Sequence, residues 1–304
     1  MLSDDLARYV ALYRKLGLCF NEQSRILHHY VRYAEAQGDR HTLILRIHDW
    51  CATASSPIRA RICFNAVRRF SVFLNAEDHL HEVPPAGAFG RGASPRPAPH
   101  LLEPHQIRAI MGAALSLPPK GTIRPHTYYH LFGLLAATGL RISEALALQR
   151  NDLTDDGLIV RRGKFGKSRL LPIHETTRRA LTDYMAIRDR LRGGSDDLFV
   201  ITTGRAPHKM TVHVVFVTLA RQLGFRGEQG TPGPRLHDLR HSFAVRALES
   251  CPHDSHAVAH HMAALSTYLG HSDIAHTYWY LEATPVLMQD IAAANEQLFV
   301  GGAT

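Results

Sequence analysis

A chain of 304 residues, 45% hydrophobic and 20% charged, is long enough for about two globular domains and excludes both a disulfide-stapled miniprotein and a disordered polyelectrolyte. Lys plus Arg outnumber Asp plus Glu by 35 to 27, a formal net charge of +8, so a polyanion is the expected partner and nucleic acid the first to consider. Only Lys15, Lys120, Lys164, Lys167 and Lys209 are lysines, and the four cysteines, Cys19, Cys51, Cys63 and Cys251, show no CxxC pairing and fit a reducing compartment.

The chain opens Met1-Leu2-Ser3-Asp4-Asp5, acidic where a signal peptide needs positive charge, and no apolar run approaches a membrane span, so a cytoplasmic location is expected. Apolar residues then recur at helical spacing in four blocks: Leu6, Val10, Tyr13 and Leu16; Ile26, Leu27, Tyr30 and Val31; Leu43 to Trp50; and Ile58 to Leu74. They predict a small helical bundle over residues 1–82. Its last helix starts with Ser56 and Pro57, a preferred cap and first-turn pair, and its expected buried stripe is Ile62, Cys63, Ala66, Val67, Phe70 and Leu74. Arg59, Arg61, Arg68 and Arg69 lie elsewhere on that helix and are candidate DNA contacts, although a solvated charged face has the same pattern.

Residues 83–100 hold Pro84, Pro85, Pro95, Pro97 and Pro99 with Gly87, Gly90 and Gly92, and no apolar period survives, which marks a linker. Beyond it, in residues 101–304, helices are predicted over Glu103 to Leu115, His126 to Ala137 and Arg141 to Leu148. Strands are predicted over Leu158 to Arg162 and Arg169 to Ile173 around a Gly163-Lys164-Phe165-Gly166 turn. Helices follow over Glu175 to Leu191, Val212 to Leu223, His237 to Leu248, Val258 to Tyr268 and Asp273 to Glu282, with a last one after Pro285. The expected fold is mainly α with a small antiparallel β-sheet.

Four spaced elements of the second domain carry chemistry. They are Arg141 in Thr138-Gly139-Leu140-Arg141-Ile142-Ser143-Glu144, Lys167 just past the turn, His237-Asp238-Leu239-Arg240-His241, and Leu269-Gly270-His271 with Tyr280 nine residues on. Arg141 and Arg240 are permanent cations with planar donor forks, suited to non-bridging phosphate oxygens in a transition state. Arg141 also has Glu144 three residues ahead, so a plain helix-start ion pair accounts for it as well. His237 and Arg240, three apart, share one helix face. At neutral pH about one phenol in a thousand is ionised, so a nucleophilic tyrosine needs nearby cations and a base.

In this order and spacing the elements resemble the tyrosine recombinase family, the phage-integrase and Xer-type site-specific recombinases, whose pattern is Arg, Lys, His-x-x-Arg, His, Tyr. The resemblance runs from about Glu103 to Pro285 and implies a helical core-binding domain ahead of a catalytic domain. It implies that Tyr280, in Thr277-Tyr278-Trp279-Tyr280, is the nucleophile, with Tyr278 its competitor. It further implies that Arg141, Arg240 and His271 hold the scissile phosphate, that His237 assists deprotonation of Tyr280, and that Lys167, with Lys164 as alternative, protonates the leaving 5′ oxygen. No cofactor is implied, because the covalent 3′-phosphotyrosine conserves the phosphodiester energy. The implied partners are double-stranded DNA and three further copies of the chain on two DNA sites, and a mobile-element setting is suggested.

The match is poorest between Arg240 and His271, where Cys251-Pro252-His253-Asp254-Ser255-His256 is followed by His260 and His261. His256 with His260, and His237 with His241, have zinc-ligand spacing, but Asp238 stands where a zincin needs glutamate, so no metal is expected. Two other functions use overlapping residues: a type IB topoisomerase, and an accessory DNA-binding member that does not cut. An apolar tail, Leu298-Phe299-Val300, resembles the helix that recombinases donate to a neighbour and favours recombination over the first; six filled catalytic positions argue against the second.

Overall fold

Ser56 ends an extended approach to the fourth helix, and its hydroxyl accepts the Arg59 backbone N–H at 3.2 Å while Pro57 occupies the first turn. Such local starts, joined to apolar stripes, build the computed structural model, which describes residues 1–90, 99–161, 168–250 and 255–270 together with Thr277 and Tyr280. The chain divides into two compact units, Met1–Arg96 and Pro97–Thr304.

The first unit contains α1 (Leu2–Lys15), α2 (Asn21–Ala36), α3 (Ile44–Ala52) and α4 (Pro57–Asn75). Leu6, Val10, Ile26, Leu27, Tyr30, Val31, Val67 and Phe70 close one core. Each large apolar side chain so buried contributes about 1.5–3 kcal/mol against the entropy of ordering the chain. Two expected core residues fall outside. Leu16 caps α1 and is 65% exposed, and Ile62 is 45% exposed whereas Phe64 is buried. The stripe on α4 runs Ala60, Cys63, Phe64, Ala66, Val67, Phe70, Ser71 and Leu74, which keeps the expected Cys63, Ala66, Val67, Phe70 and Leu74 and leaves Ile62 off the buried face.

The second unit adds α5 (Pro104–Ala114), α6 (Ile123–Thr138), the single turn α7 (Ile142–Ala145) and an antiparallel sheet of β1 (Leu153–Thr154), β2 (Gly157–Val160) and β3 (Arg169–Leu171). Then come α8 (Glu175–Arg192), α9 (Lys209–Gln222), α10 (Asp238–Glu249) and α11 (Ser255–Leu269). Helix α6 packs against α5, α8 and α10, which explains why its apolar residues show no single face: Tyr128, Leu131, Phe132, Leu134 and Leu135 are all buried. The sheet pairs Leu158 with Leu171, Ile159 with Leu170 and Val160 with Arg169, so the register sets Arg169 at the end of the hairpin that faces the site.

Three local expectations change. The helix anticipated from Arg141 to Leu148 is only the turn α7, because the Leu148 carbonyl is drawn into pairing with Leu198 N–H at 2.8 Å and Gln149 bridges Asp197. The expected Leu158 to Arg162 strand ends at Val160, with Arg161 irregular, and β1 was not anticipated, since two residues show no period. The turn 163–166, Lys167, His271 and the helix after Pro285 lie outside the described residues, as does most of 273–282, of which Thr277 and Tyr280 are helical. No helix among the described residues is long and apolar enough to cross a membrane.

Candidate active site

Helix α6 ends at Gly139 in the left-handed conformation (φ 61°), and a Cβ there would lie 2.6 Å from Phe243 and 2.9 Å from Leu269. The glycine therefore serves the turn and the close approach of α10 and α11 together. Its buried carbonyl, at the end of α6, accepts Arg240 Nη1 at 2.6 Å, and Arg240 Nη2 donates to the Leu269 carbonyl at 2.9 Å. Arg141 begins α7 and sends Nη1 to the same Leu269 carbonyl at 3.4 Å and Nη2 to the Gly270 carbonyl at 3.1 Å. Arg169 Nε takes the Tyr268 carbonyl at 3.1 Å. Three guanidinium groups thus converge on the last carbonyls of α11, where the helix dipole is negative and carbonyls lack intrahelical partners.

Glu144 holds this cluster of like charges together. Its carboxylate accepts Arg141 Nη1 at 2.9 Å, the Arg141 backbone N–H at 3.1 Å, and Arg169 at 3.1 and 3.3 Å. Burial alone would raise its pKa, but the Arg169 hydrogen bonds and charge, then those of Arg141, hold it below the ordinary carboxylate value. The helix-start ion pair anticipated for Arg141 is therefore formed, and the same guanidinium also joins the cluster at the end of α11. A guanidinium has five N–H donors, and the three bonds described from Arg141 leave donors for an anion.

On α10, Arg240 is 3% exposed. Burial first, then repulsion from Arg141, pushes its pKa down to about 10, so it stays cationic at neutral pH, with Tyr280 beside it partly opposing the shift. His237 is exposed at the start of α10, and its ring also packs edge-on against His241. That packing, followed by the Arg240 charge, lowers its pKa to about 4, which leaves a neutral imidazole at pH 7. Tyr280 is buried with Ala244, Val245, Leu248, Met262, Leu265 and Leu269. Its hydroxyl lies 3.2 Å from His241 Nδ1.

Of the residues anticipated from sequence, the structure brings Arg141, Arg240 and Tyr280 together, places His237 edge-on to His241 (ring centroids 4.6 Å apart), and leaves Lys167 and His271 outside the described residues. Arg169, Asp238 and His241 were missed as site residues. The signals existed, in Lys167-Ser168-Arg169 and in the histidine directly after Arg240, but nothing local distinguishes them from a strand-edge cation and a helix-face polar group.

The basic residues of α4 do not form one stripe. At about 100° per residue Arg61 and Arg68 lie side by side, Arg69 lies roughly 80–100° away, and Arg59 points nearly opposite. Arg59 Nη1 pairs with Glu22 at 2.8 Å, and Arg68 Nε donates to the Pro84 carbonyl at 2.9 Å. Among the described residues one cluster has metal-ligand proximity, His41, Asp78 and His81, with ligand atoms within 4.8 Å. There the Thr42 N–H donates to His81 Nδ1 at 3.1 Å, which places the imidazole proton on Nε2 and removes the lone pair an ion would need.

The family model described as the Phage integrase family matches residues 100–285. The chain is 36% identical over 295 residues to "Putative integrase/recombinase y4rB" of Sinorhizobium fredii (strain NBRC 101917 / NGR234), covering 93% of each. It is 30% identical to tyrosine recombinase XerD of Caulobacter vibrioides (strain ATCC 19089 / CIP 103742 / CB 15), covering 80% of this chain and 76% of that one. Among solved structures it is similar in fold to the Tn1549 transposon integrase in complex with transposon right end DNA, with TM-score 0.64 and 18% identity over 95% of this chain and 99% of that one. It is likewise similar to a lambda integrase dimer bound to a COC′ core site, with TM-score 0.62 and 18% identity over 91% and 76%.

Proposed function

The chain belongs to the phage integrase family, the tyrosine recombinases, and from that membership we propose a chemistry for its site. As a member it is a site-specific DNA recombinase, an enzyme that breaks and rejoins the strands of double-stranded DNA. In the proposed chemistry Tyr280 attacks the scissile phosphate and becomes a 3′-phosphotyrosine. Arg141, Arg240 and His271 hold the phosphate oxygens, neutral His237 assists the removal of the tyrosine proton, and Lys167 protonates the departing 5′ oxygen. A 5′ hydroxyl from the partner strand then attacks the phosphotyrosine and reverses the step.

The observation that carries this reading is the meeting of the Tyr280 hydroxyl with the buried Arg240 charge, beside Arg141 on the same α11 carbonyl. A fixed cation favours phenolate over phenol, which is what a nucleophile with an ordinary pKa of about 10 requires. Residues 1–82 serve as a DNA-binding domain in this reading, with Arg59, Arg61, Arg68 and Arg69 as its candidate phosphate contacts. Four copies of the chain act on two sites in the cytoplasm, in the manner of the lambda integrase tetramer bound to a Holliday junction, and the substrate is a mobile element.

Covalent trapping tests the assignment. The protein is incubated in EDTA with nicked duplexes taken from DNA flanking its own gene, and an SDS-stable adduct is sought with wild type, Tyr280→Phe and Tyr278→Phe. An adduct from wild type and Tyr278→Phe, absent in Tyr280→Phe although DNA binding persists, is expected. Adduct formation by Tyr280→Phe refutes the nucleophile assignment.

A further inference from the structure

The histidine nitrogen that meets the Tyr280 hydroxyl at 3.2 Å belongs to His241, directly after the His-x-x-Arg pair. We infer that His241 is a further catalytic residue, the base that takes the phenolic proton directly, with Asp238 as its orienting carboxylate and His237, packed against the His241 ring, assisting only through it. The inference rests on Tyr280 being the nucleophile.

Three observations bear on it. First, a hydroxyl that donates to Nδ1 requires the lone pair there, so the neutral ring carries its proton on Nε2. That Nε2 lies 4.0 Å from Asp238 Oδ1, close enough for the carboxylate to favour the imidazolium once His241 has accepted a second proton. Second, Asp238 is fully buried and held in place, because it accepts the Arg235 backbone N–H at 2.7 Å and Arg235 Nη2 at 3.1 Å. It sits three residues before His241 on α10, so one helix turn fixes both groups. Third, the pair is walled off from water: His241 is 9% exposed and Tyr280 3%. The His237 ring packs edge-on against His241 with centroids 4.6 Å apart, and the Arg240 guanidinium lies beside Tyr280.

The arrangement follows the nucleophile, base and orienter logic of covalent catalysis. The Tyr280 O–H bond breaks and its proton passes to Nδ1 of His241. The electron pair left on the phenolic oxygen forms the new bond to phosphorus. The bond from phosphorus to the 5′ oxygen breaks, its electron pair leaves on that oxygen, and the proton it needs comes from Lys167 in the proposed reading. When a 5′ hydroxyl later attacks, its O–H bond breaks and its proton returns to the Lys167 left neutral by the first step, its oxygen bonds phosphorus, the bond from phosphorus to Tyr280 breaks, and the departing phenolate recovers its proton from the His241 imidazolium.

The test is single-turnover cleavage, by the full chain, of the nicked duplex identified by trapping. Tyr280→Phe, His241→Ala and His241→Asn are compared with wild type for adduct formation, DNA binding and thermal unfolding. His241→Ala is expected to bind DNA like wild type and to form adduct about 100-fold or more slowly, the usual worth of a positioned base. Added imidazole, which fits the vacated space, should restore the rate. His241→Asn offers an oxygen that accepts the hydrogen bond but cannot hold the proton, so it should stay slow; it also keeps the question decidable should the alanine variant fail to fold. The defect should persist on a duplex with sulfur bridging at the 5′ position, whose thiolate leaves without a proton, because the missing group serves the nucleophile. Wild-type rates in His241→Asn, a slow alanine variant that imidazole does not rescue, or an alanine variant faster than wild type would each overturn the base assignment. Adduct formation by Tyr280→Phe would overturn the nucleophile reading instead, so the two failures are distinct.

Discussion

Replacing Glu144 with glutamine isolates the group that lets three arginines share one helix end. The carboxylate is 6% exposed and accepts four hydrogen bonds from Arg141 and Arg169. Removing one partner of a buried ion pair costs about 3–5 kcal/mol; because glutamine keeps the shape and one acceptor oxygen, about 3 kcal/mol is expected. For a unit of this size each kcal/mol lowers Tm by about 2–4 °C, so circular dichroism should show a fall of roughly 6–12 °C. The pH dependence supplies a second reading. Glu144 has its folded pKa held below the ordinary 4.5, so the unfolded chain binds the proton first as pH falls. Its contribution is complete above about pH 5 and is lost as pH drops through the depressed value, a loss Glu144→Gln should not show. Arg141 would also lose its clamp, so adduct formation should slow by about 10- to 100-fold with DNA binding nearly unchanged. A Tm within about 2 °C of wild type, with an unaltered acid profile, would refute the view that Glu144 holds the cluster.

Gly139→Ala should destabilise the second unit by about 1–2 kcal/mol for the left-handed backbone and by a further 1–3 kcal/mol for the overlap with Phe243 and Leu269. It should also slow adduct formation by displacing the carbonyl that holds Arg240; thermal unfolding and single-turnover cleavage check both. His237, with its pKa lowered to about 4, should remain neutral on descending from pH 8 to about pH 5, so its ring resonances in a histidine-labelled NMR titration should move only below that. A midpoint near the ordinary 6.5 would show that neither the packing around the ring nor the Arg240 charge governs its protonation.

Much of the architecture could be read from sequence wherever a period and a cap agreed. Helix α4 begins where Ser56 and Pro57 predict, and helices were anticipated at α5, α6, α8, α9, α10 and α11. Short elements were poorly legible: α7 spans one turn and β1 two residues, too few to express a period, and their extents follow from the pairing of Leu148 and Gln149 with the 197–198 segment. Five of the six residues expected on the α4 stripe, Cys63, Ala66, Val67, Phe70 and Leu74, are buried; Ile62 was misassigned at its edge, and only packing against the neighbouring helices showed Phe64 to be the inner residue.

The sequence by itself was enough to recognise the family and to name the chemically capable residues, because Arg141, Lys167, His237, Arg240, His271 and Tyr280 stand in an order and spacing that resemble the family's pattern. It also determined the charge balance that favours DNA. Only the tertiary structure decided which groups meet. The Tyr280 hydroxyl lies against His241, 39 residues earlier in the chain, and Arg169 reaches Glu144 across 25 residues. Arg141 and Arg240 converge on one carbonyl at the end of α11. The reason is physical: a helix end exposes carbonyls without saying which cations will satisfy them, and that choice is made when α6, α10, α11 and the hairpin pack together and bury like charges that must share acceptors and one carboxylate.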